Sequence, residues 1–153
     1  MQYFEDLEVG TKASFGHYEV TREEVIDFAS RYDPQPFHLD DEAAAQTYFG
    51  RLSASGWHTC AMTMRMMVEH FSSQEAASLG SPGIDELRWI KPVYPGDTLR
   101  VESELIEKRQ SKSKPHMGFT KTRQTTFNQH GEPVMTMGGN GIIRVRDPEA
   151  PAG

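Results

Sequence analysis

The sequence contains little cysteine, little basic charge and no long apolar run. Cys60 is the single cysteine in 153 residues. It excludes an internal disulfide framework and a zinc site built on paired cysteines, and it is typical of a reducing compartment. A net charge of −6 without a strong basic cluster argues against nucleic-acid binding. The N-terminal stretch MQYFEDLEVG is acidic and lacks the apolar core of a signal peptide, and no run approaches the roughly 18 apolar residues of a membrane span. We therefore expect a soluble, cytoplasmic protein with neither nucleic-acid nor membrane partners.

The length and composition predict one domain followed by a short tail. A chain of 153 residues can bury roughly two-thirds of its unfolded surface, and no internal repeat or linker-like segment interrupts it before the end. We assign residues 1–146 to a single domain. Residues 147–153, D-P-E-A-P-A-G, are predicted to be a disordered tail.

The first third of the chain predicts one strand and two short helices. Residues 13–20, ASFGHYEV, have the pattern of a strand. A T-x-x-E capping box opens a helix over 21–32. A second helix over 40–49 is predicted to begin at an aspartate cap and to end with Gly50 at its C′ position.

The longest predicted helix runs from Gly56 to Phe71 and contains no proline and no internal glycine. Arg65 and Glu69 form an i,i+4 pair on its wetter face. Its apolar residues recur at spacings of three and four, and Met62 and Met66 widen the stripe. We expect this helix to be buried over most of its circumference, with its methionines as core filling. The predicted stripe consists of Trp57, Cys60, Ala61, Met64, Met67, Val68 and Phe71.

Beyond Gly83 the pattern changes from helical to extended. Four segments show alternation, β-branched residues and bounding turn signals: IDELRWIKPV, TLRVESELIEKR, MGFTKTRQTTFNQ and PVMTMGGNGIIRVR. One strand, two short helices, one long helix and four antiparallel strands make an α+β protein. The long helix must then lie against one face of the sheet.

A proline-rich step separates an acid from an imidazole between Asp33 and His38. The segment reads D-P-Q-P-F-H, and each proline fixes its own φ and disfavours helix at the residue before it. A defined loop of this kind could hold Asp33 and His38 against one reacting centre. The alternative is a helix exit, in which Asp and Pro form a turn and His38 lies on the surface.

The stretch S-A-S-G, residues 53–56, leads directly into the long helix. A helix N-terminus offers unpaired N–H groups and positive potential to a polarised carbonyl, and Gly56 would allow close approach. Equally, small residues and a glycine suit a tightly packed loop without any ligand.

Together these segments resemble the MaoC-like dehydratase family, which includes the R-specific enoyl-CoA hydratases and has a hotdog fold, an antiparallel sheet wrapped around a long central helix. The hydratase motif of that family matches D-P-Q-P-F-H-L-D, its central-helix glycine matches A-S-G-W-H, and K-P-V-Y-P-G-D-T-L is a frequent hotdog strand–turn–strand. The resemblance covers nearly the whole chain. It implies that Asp33 and His38 are the catalytic pair and that the Gly56 N–H binds the thioester carbonyl. It also implies dimers in which two sheets join edge to edge.

Gln35 and Ala61 differ from the family pattern. Gln35 stands where better-studied members have Asn, and its longer amide can make similar hydrogen bonds. Ala61 stands where some members have a Ser, so that hydroxyl is absent or is supplied by a neighbouring threonine. His58 could border the pocket, although a packed or capping role is the alternative. The histidines outside the motif lack metal-ligand spacing, so we expect no metal site. The residues expected to border the pocket are Gln35, Ser55, Trp57 and His58.

Hydration of an enoyl thioester needs a base for the water, an acid for Cα and a donor for the carbonyl oxygen. We therefore predict an enzyme of fatty acid metabolism, an enoyl-CoA hydratase or acyl dehydratase, that uses no cofactor and acts on an acyl-CoA or acyl-carrier thioester. One alternative is a hotdog thioesterase, in which a carboxylate directs water to the carbonyl carbon. Another is a non-catalytic acyl-thioester binding module. The pairing of Asp33 with His38 favours hydration, since Cα needs a second proton-transfer group. We expect a homodimer or a multiple of dimers.

Overall fold

The chain folds into an antiparallel sheet and three α-helices within residues 1–149, the part that the computed structural model describes. The helices are α1 (Arg22–Tyr32), α2 (Asp41–Ala45) and α3 (Gly56–Ser73). The strands are β1 (Lys12–Glu19), β2 (Ser78–Trp89), β3 (Thr98–Gln110), β4 (Met117–Phe127) and β5 (Pro133–Arg144). The predicted α+β class is confirmed.

The sheet has five strands in the order β1-β3-β4-β5-β2, and every neighbouring pair is antiparallel. The hairpins β3–β4 and β4–β5 join strands that follow one another along the chain. In contrast, β1 and β2 form the two edges, and the helices lie between them in sequence. The long strand β2 therefore has one side without a neighbouring strand among residues 1–149.

One face of α3 packs against β1 and β3 and supplies the centre of the core. Met62 and Met66 are each 1% exposed and belong to the same cluster as Leu99 and Val101. Burial of each such side chain stabilises the fold by roughly 1.5–3 kcal/mol. Neither α3 nor any other helix among residues 1–149 is long and apolar enough to cross a bilayer.

The other apolar face of α3 is exposed, contrary to the expectation of burial over most of the circumference. Trp57, Met64, Val68 and Phe71 are 58%, 50%, 44% and 37% exposed. Two apolar stripes run along this helix, and the sheet covers the one that contains Met62 and Met66. The predicted Arg65–Glu69 pair is confirmed, with 2.6 Å between Nε and Oε1.

The bounds of α2 and β2 differ most from prediction. Helix α2 begins after its Asp40 cap as expected but ends at Ala45, where the backbone N–H groups of Gln46 and Thr47 donate to carbonyls only three residues back. Gly50 has a φ of +73° in the following turn and is not the C′ residue of that helix. Strand β2 begins at Ser78, six residues before the predicted segment. The additional residues belong to the strand because they also pair with β5, although the register of that pairing is interrupted.

The C-terminal segment lies beside the N-terminus. The Asp147 N–H donates to Glu5 Oε1 at 3.1 Å. Of the segment 147–153 that the sequence predicts to be a disordered tail, residues 150–153 lie outside the described residues.

Candidate active site

The proline-rich step forms a defined turn at the end of α1, as its sequence predicts. Helix α1 ends at Tyr32, and the Asp33 N–H still donates to the Ala29 carbonyl at 2.9 Å. Pro36 then opens a single 3₁₀ turn through His38, whose N–H donates to the Gln35 carbonyl at 2.9 Å. The turn directs the imidazole inward, and His38 is only 5% exposed. The surface alternative for His38 is therefore excluded.

Asp33 and His38 face one another across a short gap. Asp33 Oδ2 lies 3.5 Å from His38 Nε2. The other ring nitrogen, Nδ1, lies 2.7 Å from the Ser53 carbonyl oxygen. Because a carbonyl can only accept, Nδ1 carries a hydrogen, and Nε2 is the nitrogen that faces the carboxylate. The Ser53 carbonyl thus fixes both the tautomer and the orientation of His38.

Two side chains hold the Asp33 carboxylate. Ser55 Oγ donates to Oδ2 at 2.7 Å, and Gln35 Nε2 donates to Oδ1 at 2.7 Å. Partial burial alone would raise the pKa of Asp33. The hydrogen bonds from Ser55 and Gln35, with a smaller electrostatic contribution from His38, outweigh it and lower that pKa below its ordinary value. Asp33 is therefore ionised at neutral pH, and Gln35 does contact the loop acid.

The N-terminus of α3 lies beside this pair. Ser55 is the N-cap residue, and its Oγ accepts from the Trp57 N–H at 3.3 Å. Gly56 is the first helical residue, so its N–H has no acceptor within the helix. No other group among residues 1–149 accepts a hydrogen bond from this N–H. The positive end of the helix dipole adds to the potential of this group. The geometry thus joins a carboxylate, an imidazole and an unpaired N–H.

Gly56 also meets a packing requirement. A Cβ atom at this position would lie 2.4 Å from Cε2 and 2.6 Å from Cδ2 of Trp89, the last residue of β2. Trp89 in turn makes an edge contact with Trp57, with 5.2 Å between ring centroids. Trp57 and Trp89 are both about half exposed. The absence of a side chain at residue 56 thus lets an indole cover the start of α3.

His58 is itself buried and belongs to a separate, partly buried cluster between α1 and α3. Its Nε2 lies 2.9 Å from Glu24 Oε1, and its ring stacks on Phe28 at 4.7 Å. Glu24 also accepts from the Tyr18 hydroxyl. Burial and the bond to Glu24 raise the pKa of Tyr18 to about 12. His58 thus has the packed role that the sequence left open.

Three features of the site have no counterpart among the sequence predictions. They are the Ser53 carbonyl, the contact of Ser55 with Asp33, and the Trp89 ring over Gly56. A backbone carbonyl has no residue-type signal, and Ser55 lies 22 positions from Asp33 along the chain.

Among residues 1–149, no group of three or more His, Cys, Asp or Glu side chains could hold a metal ion. A cavity of about 310 Å³ lies at the far end of α3, beside His70 and Phe71.

An antiparallel sheet packed on a long helix defines the hotdog fold. The chain belongs to the family described as MaoC like domain, which it matches over residues 6–126. The family and fold expected from the sequence are thereby confirmed.

Relatives of known structure or activity support this assignment. A MaoC-like dehydratase from Rhodospirillum rubrum is 39% identical, with a TM-score of 0.87 over 96% of this chain and 99% of that one. The mesaconyl-CoA hydratase of Cereibacter sphaeroides is 43% identical over 70 residues, which are 46% of this chain and 20% of that protein. The 3-hydroxybutyryl-CoA dehydratase of Methylorubrum extorquens is 31% identical over 106 residues, 69% of this chain and 64% of that protein. The chain therefore spans only part of these two enzymes.

Proposed function

We propose that this protein is an acyl-thioester hydratase that adds water reversibly across the α,β double bond of an enoyl-CoA or enoyl-acyl-carrier thioester. Asp33 and His38 form the acid–base pair, and the Gly56 N–H binds the thioester carbonyl. The observation that carries the proposal is the 3.5 Å approach of Asp33 Oδ2 to His38 Nε2 beside the Gly56 N–H, which has no acceptor among residues 1–149.

The pair is suited to act on one water molecule. Two polar atoms 3.5 Å apart can both contact the same water oxygen or its hydrogens. Asp33 is ionised because its pKa is lowered, and His38 presents Nε2 because Nδ1 donates to Ser53. As the water oxygen bonds to Cβ, the pair takes one proton from it and returns one proton to Cα. The pair ends in the protonation state in which it began.

The helix N-terminus would stabilise the intermediate charge. When water adds to Cβ, electron density moves through Cα to the carbonyl oxygen, which becomes enolate-like. A preorganised N–H donor at that oxygen typically accelerates such a step about 10²–10³-fold. Gly56 supplies an N–H that needs no rearrangement, since it has no acceptor within the helix.

An assay on enoyl thioesters tests the reaction class. We expect loss of the conjugated double bond with at least one member of a panel of straight-chain, branched and dicarboxylic enoyl-CoA substrates, without release of free thiol. Thiol release without loss of the double bond would instead indicate the thioesterase alternative. Binding of the panel without turnover would indicate the binding module.

We further propose that the working protein is a homodimer or a multiple of dimers. Strand β2 directly follows α3 in the order of elements. Helix α3 has an exposed apolar face, and β2 is an edge strand on which Ile84 is 53% exposed. A second copy can cover the apolar side chains and pair the open edge at once. Light scattering after size exclusion should therefore give twice the chain mass or a multiple of it. Val68→Glu should shift the protein toward monomer, whereas a wild-type monomer at micromolar concentration would contradict the proposal.

A further inference from the structure

Ser55 makes more contacts than a helix cap requires. Its side chain is completely buried, at 0% exposure. Its Oγ accepts from the Trp57 N–H and also donates to Asp33 Oδ2, at 3.3 Å and 2.7 Å. One hydroxyl therefore joins the start of α3 to the carboxylate that follows α1.

The chemistry of the hydroxyl explains why a serine suits this position. A cap needs only an acceptor, and Asp, Asn or Thr would serve nearly as well as Ser. The contact with Asp33 needs a donor as well, and a hydroxyl supplies one donor and two acceptor sites from a single atom. An ionised Asp at residue 55 could cap α3 but would repel Asp33.

The other catalytic side chain is held by the same short segment. The Ser53 carbonyl accepts from His38 Nδ1 at 2.7 Å, and Ser55 Oγ holds Asp33 at the same distance. Gly56, the proposed carbonyl donor, follows Ser55 directly. Residues 53–56 thus contact or contain every group that the proposed reaction uses.

We propose that Ser55 is a positioning residue that fixes the Asp33 carboxylate relative to the Gly56 N–H. The inference rests on the proposed hydratase function. Without the hydroxyl, Asp33 keeps only the Gln35 bond to Oδ1, and Oδ2 is free to rotate away from His38. Displacement of a reacting group by about 1 Å reduces turnover on the order of 10²-fold. We expect a loss of that size in kcat, with a smaller change in KM.

The loss of Ser55 also has a protonation signature that a purely structural role would not produce. Its hydrogen bond is one of the causes that lower the pKa of Asp33. Ser55→Ala should therefore raise that pKa, and the acidic limb of the kcat/KM profile should move to higher pH. Carbon-13 NMR of the Asp33 carboxyl measures the same shift without any substrate.

The experiment compares three substitutions at residue 55 with a matched cap elsewhere. Ser55→Ala removes cap and donor. Ser55→Gly removes the donor but keeps most of the capping stability, because glycine is tolerated at the N-cap. Ser55→Thr keeps the hydroxyl and should retain the wild-type pKa of Asp33. Thr21→Ala removes the equivalent capping bond of α1, which Thr21 Oγ1 accepts from the Glu24 N–H. This cap lies at the start of α1, whereas Asp33 lies at the opposite end of the helix.

We expect Ser55→Ala and Ser55→Gly to lose activity and to raise the pKa of Asp33, and Ser55→Thr and Thr21→Ala to do neither. An unchanged Asp33 pKa in Ser55→Ala, or an equal activity loss in Thr21→Ala, would overturn the role of Ser55 and leave the hydratase assignment intact. A wild-type protein that hydrates no enoyl thioester would overturn the assignment itself, and with it any catalytic role for Ser55, whatever the NMR titration gives.

Discussion

Substitution of Gly56 by alanine tests the packing at the start of α3. The added Cβ would lie 2.4 Å from Trp89 Cε2, whereas ordinary contact begins at 3.4 Å, so the indole has to retreat by about 1 Å. Overpacking of this kind destabilises a protein by about 1–3 kcal/mol. For a chain of this size, each kcal/mol lowers the melting temperature by roughly 2–4 °C. We therefore expect Gly56→Ala to melt earlier, with altered tryptophan fluorescence.

A double-mutant cycle isolates the cause. With Trp89→Ala as the background, the methyl group at residue 56 no longer meets an indole, so Gly56→Ala should have almost no effect on the free energy of unfolding. The coupling between the two substitutions should then equal most of the destabilisation seen in the wild-type background. The assay is chemical denaturation of the four proteins. Equal effects of Gly56→Ala in both backgrounds would refute the steric explanation.

The remaining predictions concern the acid–base pair. Asp33→Asn and His38→Ala should each retain the fold while reducing hydration by about 10²–10⁴-fold, the usual contribution of a general acid or base; near-wild-type turnover by both would contradict their assignment. The limb of the wild-type kcat/KM profile that reports ionisation of Asp33 should lie below the ordinary Asp pKa of 3.8, because the pKa of Asp33 is lowered. The same lowered pKa means that Asp33 contributes stability that is complete above its unfolded-state pKa and lost as the pH falls through the folded one. Asp33→Asn should therefore show less acid destabilisation than the wild type, as measured by melting temperature against pH; an identical profile would argue against the shift.

Features encoded locally were predictable from the sequence. The T-x-x-E pattern correctly predicted the start of α1, where Thr21 Oγ1 accepts from the Glu24 N–H. The two prolines correctly predicted a defined turn between Asp33 and His38, since each acts through its own backbone and that of its neighbour.

Features that depend on the packing of distant segments were not predictable. Periodicity revealed that α3 is apolar on more than one side but could not tell which stripe faces the sheet, so the burial of Val68 was predicted wrongly. The start of β2 has weak strand propensity and forms because β5 pairs with it. At the site, the bond from Ser55 to Asp33 exists because α1 ends against the beginning of α3, and no spacing along the chain encodes that approach.

In the proposed reaction, the protein directs water to Cβ of an enoyl thioester rather than to the carbonyl carbon. Incubation of an enoyl-CoA substrate with the protein in ¹⁸O-labelled water, followed by mass spectrometry, locates the new oxygen directly. Hydration predicts one ¹⁸O atom in the β-hydroxyl group of an intact CoA thioester, and Asp33→Asn should strongly slow its incorporation. Label in a free carboxylic acid together with released CoA, or no label in any product across the substrate panel, would contradict the proposed hydration.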